Sequence, residues 1–214
     1  MAKRPIDGVI FDLDGTLTAP GLIDFAAIRR DIGCPDGLDI LSHIANLEEA
    51  SPTQAKHAWG VVEHHEVLSL NKVVEATGAT STLTELTAQG IPVAVLTRNS
   101  SRALTTTLKR LGMARFVKMG LARDDAPPKP APDGILKLTA ALGLDARRCL
   151  MVGDFVHDVE AGHRAGSWTA WIRTKADKSV PEHTDFELQR IDQVLAVVNG
   201  EPEAWRPPVK ISAR

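Results

Sequence analysis

Val9-Ile10-Phe11-Asp12-Leu13-Asp14-Gly15-Thr16-Leu17-Thr18 is the stretch on which the reading of this chain turns. An apolar run short enough for a buried parallel strand meets two carboxylates two residues apart, followed at once by a Gly-Thr turn. Strand alternation puts Asp12 and Asp14 on one side. In an open α/β sheet ligands bind in the crevice at the carboxyl ends of the strands, so both carboxylates are expected to face it. Two like charges that close are costly unless something positive joins them. A hard divalent cation or a shared proton are the two usual solutions.

Composition narrows the setting. At 214 residues the chain suits one medium domain, or a core with a modest insertion, and can bury about 70% of its unfolded surface. Lys+Arg number 25 against 27 Asp+Glu, a net charge of −2, which argues against nucleic acid as a partner. The two cysteines, Cys34 and Cys149, stand far apart and form no CxxC pair, so they read as small apolar fillers in a reducing compartment. Lys3 and Arg4 are followed by Ile6-Asp7-Gly8, and no apolar stretch reaches the roughly 18 residues of a membrane span. These features predict a soluble, cytoplasmic protein that makes no membrane contact, as a monomer or homodimer.

Helical spacing runs from about Leu22 to Ala76, broken at Gly33-Cys34-Pro35-Asp36-Gly37 and at Ser51-Pro52, where Ser51 reads as an N-cap and Pro52 as the first helical residue. His43, His57, His64 and His65 in this region lack the spacing of a zinc site and read as surface histidines. A helix over Ser81–Gln89 leads through Gly90 into a second buried strand, Ile91–Thr97. The next helix is expected from Arg98-Asn99-Ser100-Ser101 to about Leu111. A hydroxyl there suits an anion, although a plain Thr cap is the simpler reading. Phe116–Met119 is weakly strand-like, and Ala126-Pro127-Pro128-Lys129-Pro130-Ala131-Pro132-Asp133 reads as a stiff extended segment that aims one ammonium, or as a rigid loop only. Helix Gly134–Leu142, strand Cys149–Gly153 ending in Asp154, a helix through Asp158 and Gly162, strand Ser167–Ile172 and a helix near Ile191–Val198 complete the pattern. The proline-bearing tail beyond it, with Pro202, Pro207 and Pro208, is expected to be loosely held.

Four segments of this chain, in order, are similar to the four signatures of the haloacid dehalogenase superfamily. They are Phe11-Asp12-Leu13-Asp14-Gly15-Thr16-Leu17, Thr97 at a strand end, the KPxP-like run around Lys129, and Gly153-Asp154 followed four residues later by Asp158. The second Asp of the first signature resembles the phosphatase branch, because the dehalogenases lack it. The Pro127–Pro132 and Val152-Gly153-Asp154 segments look most like phosphoglycolate-phosphatase-type members. The resemblance implies a Rossmann-like parallel α/β core, residues 1–18 and 78–214, and a small inserted helical cap, residues 19–77, that closes over the site.

By the same resemblance the chain is a Mg2+-dependent phosphatase of a small phosphate ester, working through an aspartyl-phosphate. Asp12 would be the nucleophile and Asp14 the acid and base. Thr97 and Lys129 would be both catalytic and substrate-binding, and Asn99 substrate-binding. The metal would be held by Asp12 and Asp154, by Asp14 through its backbone carbonyl, and from nearby by Asp158. A phosphate contact from Arg98, where many relatives carry Asn, is an inference from its position alone. His157 reads as outside the ligand set. Lys129 reads as a crevice charge and not as a packed group, so its loss is expected to cost turnover rather than folding. Two alternatives stand beside this reading: a phosphonate hydrolase using Lys56 or Lys72 as a Schiff base, and a non-catalytic phosphate-binding regulatory module.

Overall fold

A computed structural model of the chain describes residues 6–174, 179–201 and 203–205. Residues 1–5, and the tail at Pro202, Pro207 and Pro208 expected to be loosely held, lie outside them.

Six strands form one sheet: β1 Gly8–Phe11, β2 Val93–Leu96, β3 Val117–Leu121, β4 Cys149–Gly153, β5 Trp168–Ile172 and β6 Phe186–Leu188. Their order is β3-β2-β1-β4-β5-β6, and every neighbouring pair is parallel. Period-two alternation assigns each strand's residues to two packed faces. Val9, Phe11, Val93, Val95, Leu150 and Val152 enter one core, covered by α4 (Ala79–Ala88), α5 (Ser101–Arg110) and α8 (Val194–Asn199) through Leu83, Leu86, Leu104, Leu108, Val194 and Val197. Ile10, Ala94, Leu96 and Met151 enter the other, covered by α6 (Asp133–Ala141) and α7 (Val156–Ala165) through Ile135, Leu138 and Ala161. Both faces are buried, which is why β1, β2 and β4 read as continuous apolar runs.

The strand order reverses at β1. The next strand in sequence, β2, lies on one side of it and β4 on the other, so a topological switch point lies between β1 and β4.

Residues 21–73 form a separate helical unit, inserted in the chain after β1. It contains α1 (Phe25–Asp31), α2 (Ile40–Ala50) and α3 (Pro52–Leu70) around Ile23, Ile28, Ile44, Ala58 and Val62. Asp24 and Asp39 cap α1 and α2 through their side chains. Ser51 occupies the N-cap of α3 but makes no side-chain cap bond; Pro52 takes the first turn as expected. The residues flanking the insertion stay with the sheet unit. Ala19 N donates to Val74 O at 3.0 Å and Ala76 N to Leu17 O at 2.9 Å, with Thr18 and Glu75 bridged antiparallel.

Cys34 and Cys149 are free and buried, and burial raises both thiols, that of Cys149 to about 12, in keeping with small apolar fillers. Among the described residues no helix is long and apolar enough to cross a membrane.

Candidate active site

The β1 ladder extends one residue past the strand, where Asp12 N donates to Val152 O at 2.8 Å. The chain then turns, with Leu17 N and Thr18 N both donating to Leu13 O, so Asp14 sits in a turn and not on a strand. Turn geometry, rather than strand alternation, sets the Asp14 side chain.

Gly15 shapes that turn. Its φ is +80°, and a Cβ there would lie 2.5 Å from Asp154 Oδ2, so only glycine lets the turn come this close to the end of β4. Gly153 has the same role on the other side: a Cβ would lie 2.1 Å from Asp158 Oδ2. Asp158, in the first turn of α7, reaches back so that its Oδ2 accepts from Phe155 N at 3.0 Å. Trp171, buried on β5, donates from Nε1 to the Asp154 carbonyl at 3.0 Å.

Oxygens of Asp12, Asp154 and Asp158 lie within 4.8 Å of one another. Into this cluster projects Lys129, 2% exposed, whose Nζ donates to Asp12 Oδ1 and Asp158 Oδ1 at 2.6 Å and to Leu96 O at 2.7 Å. An ammonium has three N–H groups, and all three are engaged. Lys129 can therefore hold a phosphoryl oxygen only by releasing one of these acceptors. Its segment is a turn, with Ala131 N donating to Pro128 O at 3.0 Å, in place of the expected extended run. The group expected at the surface of a crevice is thus a buried, fully paired one.

The electrostatics follow. Three carboxylates face one ammonium, leaving two negative charges to be compensated. Burial pushes Asp12 up to about 7; Lys129 opposes this, while Asp158 and Asp154 add to it. Burial pulls Lys129 down, but Asp12 and Asp158 outweigh it and hold its pKa above the ordinary value. The donor set fits Mg2+: hard oxygens alone, with an excess of two negative charges. Asp12 and Asp154 are placed to hold such an ion. Asp158 has both oxygens committed, to Lys129 and to Phe155 N, and stands behind them.

On the other side of β1, Thr97 is buried at the end of β2, and its Oγ1 accepts from Asn99 N at 3.1 Å. Helix α5 begins later than the sequence pattern suggests, at Ser101, with Ser100 as the N-cap whose side chain accepts from Ala103 N. Thr97 is therefore followed by a side-chain turn and not directly by a helix N-terminus. Arg98 donates to His157 Nδ1, and the His157 ring sits edge-on to Phe155 at 4.9 Å. Asn99 Nδ2 donates to Asp14 Oδ2.

The sequence reading missed Arg123, which donates from Nη1 to Arg98 O at 3.3 Å and from its backbone N to Asn99 O at 3.0 Å. It also missed the pairing of His157 with Arg98. Nothing in the local pattern marks either, because each joins segments 24 or more residues apart. Of the four helical-unit histidines, His57 and His64 are exposed and His43 and His65 half-buried. Among the described residues the only cluster suited to a metal is the Asp12, Asp154 and Asp158 group.

A model of haloacid dehalogenase-like hydrolases matches residues 6–166, from just before β1 to the end of α7. A haloacid dehalogenase-like hydrolase domain-containing protein of Arabidopsis thaliana is 32% identical, over 80% of this chain and 72% of its own length. A phosphoglycolate phosphatase of Yersinia pseudotuberculosis is also 32% identical, over 76% of this chain and 79% of its own. The crystal structure of a family IA, variant 3 hydrolase from Entamoeba histolytica superposes with a TM-score of 0.73 at 19% identity, covering 90% of this chain and 98% of that one, a likeness of fold. The sheet order, the carboxylate and lysine centre at its switch point and these matches agree, and the chain belongs to the haloacid dehalogenase-like hydrolase family.

Proposed function

We propose that this chain is a Mg2+-dependent phosphatase that hydrolyses a small phosphomonoester through an aspartyl-phosphate on Asp12. One observation carries the reading. Asp12 is buried at the switch point with Oδ1 held by Lys129, while a second carboxylate, Asp14, lies two residues on and outside the acidic cluster. A binding module needs an anion receptor; it does not need a fixed carboxylate nucleophile and a separate proton carrier.

The chemistry is a double displacement. An Asp12 oxygen forms a bond to phosphorus as the ester P–O bond breaks, and the leaving oxygen keeps the bonding pair and takes a proton from Asp14. Water then attacks the same phosphorus, giving its proton to Asp14, and the bond to Asp12 breaks to release phosphate. Thr97 uses its oxygen lone pair on Asn99 N, which leaves its hydroxyl proton for a phosphoryl oxygen. Lys129 keeps Asp12 oriented and its charge balanced. Bound Mg2+ would supply positive charge to the phosphoryl oxygens. The helical unit, residues 21–73, we assign the role of a cap.

Phosphoglycolate phosphatase, the name carried by the Yersinia relative, fits a small phosphorylated metabolite as the substrate class. The phosphonate reading gains no support, since Lys56 and Lys72 are both exposed where a Schiff-base lysine needs an apolar setting. The test is hydrolysis of p-nitrophenyl phosphate by protein dialysed against EDTA, with and without added Mg2+, followed by acid quench and peptide mapping. Metal-dependent turnover with a phosphoryl group on Asp12 is expected. Full turnover without metal, or a label elsewhere, refutes the reading.

A further inference from the structure

We infer that Trp171 is a positioning residue for the metal: its indole N–H clamps the peptide that carries Asp154 past the end of β4, and so sets where that carboxylate stands. The inference rests on the Mg2+ reading above. β4 ends at Gly153, which is in register with Trp171 on β5, and Asp154 lies in a bend one residue beyond the strand. Two side chains hold the chain there. Trp171 Nε1 donates to the Asp154 carbonyl at 3.0 Å, and the N–H of the same peptide unit, on Phe155, donates to Asp158 Oδ2 at 3.0 Å. The C=O and N–H of a trans peptide point to opposite sides of one plane. Bonds at both therefore fix that plane, and with it the Cα from which the Asp154 side chain departs.

The clamp is stiff because the indole is packed in place. Trp171 is 1% exposed, and the Arg173 guanidinium lies over its ring, 5.0 Å from the centre. An indole has a single N–H, so swinging it away from Asp154 would bury that donor without an acceptor. Mg2+ tolerates little error in its ligands, since it demands near-ideal octahedral geometry, and freedom at one of them costs affinity. Residues that orient a ligand from behind typically carry about 10–100-fold in metal affinity. Asp158 does this for the Asp154 peptide from α7, and Trp171 does it from β5.

Mg2+ affinity reads this role without any turnover. Trp171→Phe keeps a buried ring and removes the N–H. Mg2+ alone is titrated by calorimetry into the metal-free unmodified chain, Trp171→Phe and Trp168→Phe, whose indole stands at the start of β5 against Phe186 and Trp205. Trp171→Phe should weaken Mg2+ binding about tenfold or more, and Trp168→Phe less than about twofold. A loss under about threefold in Trp171→Phe, or a comparable loss in Trp168→Phe, overturns the assignment. Should Trp171→Phe fail to fold, the unmodified chain decides. The indole N–H signals of its four tryptophans are assigned by heteronuclear NMR with Trp59→Phe, Trp168→Phe and Trp205→Phe, which leaves that of Trp171. This signal should move with added Mg2+ along the calorimetric binding curve, and a signal that stays in place overturns the inference. If the unmodified chain binds no Mg2+, or Asp154→Asn binds it as tightly, the Mg2+ reading itself falls, and this inference with it.

Discussion

Lys129 Nζ donates to Asp12 Oδ1 at 2.6 Å, across 117 residues of sequence, and the two side chains are buried together. With Asp158 Oδ1 at the same distance, one ammonium holds two carboxylates beneath the strand ends. Removing it leaves both carboxylates buried without a counter-charge, a change that typically costs about 3–5 kcal/mol. Lys129→Ala should therefore lower metal-free stability by that order in denaturant unfolding, besides abolishing turnover. A change under about 1 kcal/mol would mean that the two carboxylates do not depend on it.

Asp12 also sets how metal binding responds to pH. Its folded pKa is raised, by burial first, from 3.8 to about 7, so between those values the metal-free folded state keeps a proton that the unfolded chain releases. Stability from this group is therefore fully present below about 3.8 and is lost as pH rises through about 7. Mg2+ must displace that proton. Its affinity should weaken about tenfold per unit as pH falls below the Asp12 value, and the rise in melting temperature on adding Mg2+ should be larger at pH 8 than at pH 6. A Mg2+ titration that is flat between those pH values would place the ion away from Asp12.

Gly153 tests the approach of Asp158. A methyl group there would lie 2.1 Å from Asp158 Oδ2 and 2.2 Å from its Cγ, so the carboxylate must leave Phe155 N and move off Lys129. Gly153→Ala should cost at least about 2 kcal/mol and weaken Mg2+ binding, even though alanine is the smallest possible change. Unaltered Mg2+ affinity would show that Asp158 has no part in supporting the metal.

Much of this was legible because buried parallel strands are short apolar runs closed by a polar residue, Asp12 after β1, Thr97 after β2 and Asp154 after β4. β1, β2 and β4 stand out by that pattern, and the residues after them are the site. β6 did not, since three residues with only Phe186 and Leu188 buried give neither a run nor a clear alternation. The placement of Asp12, Thr97 and Asp154 at strand ends follows from chain order alone. The pairing of Asn99 with Asp14 and of Arg98 with His157 does not, because both depend on how segments 85 and 59 residues apart are folded against each other. The burial of Lys129 was equally hidden. A lysine among four prolines reads as an exposed loop until the strand-end carbonyl of Leu96 and two carboxylates are seen to take its three protons.

The sharpest separation is between the two carboxylates of the opening stretch. Asp12→Asn removes the carboxylate proposed as the nucleophile, so both the burst and the steady-state release of p-nitrophenol should vanish. Asp14→Asn keeps that nucleophile and the Asp12, Asp154 and Asp158 cluster, to which the Asp14 side chain does not belong. It removes the proton carrier from both half-reactions, with a loss on the order of 10²–10⁴ in steady-state rate. The halves are not hurt equally. p-Nitrophenolate leaves without much help from an acid, whereas the attacking water still needs a base, so the first step outruns the second and the aspartyl-phosphate accumulates. Rapid-quench intact-mass analysis of Asp14→Asn should show one added phosphoryl group, mapped by peptide analysis to Asp12. A phosphoryl group on any other residue, or turnover by Asp12→Asn that Asp14→Asn lacks, would reverse the two roles.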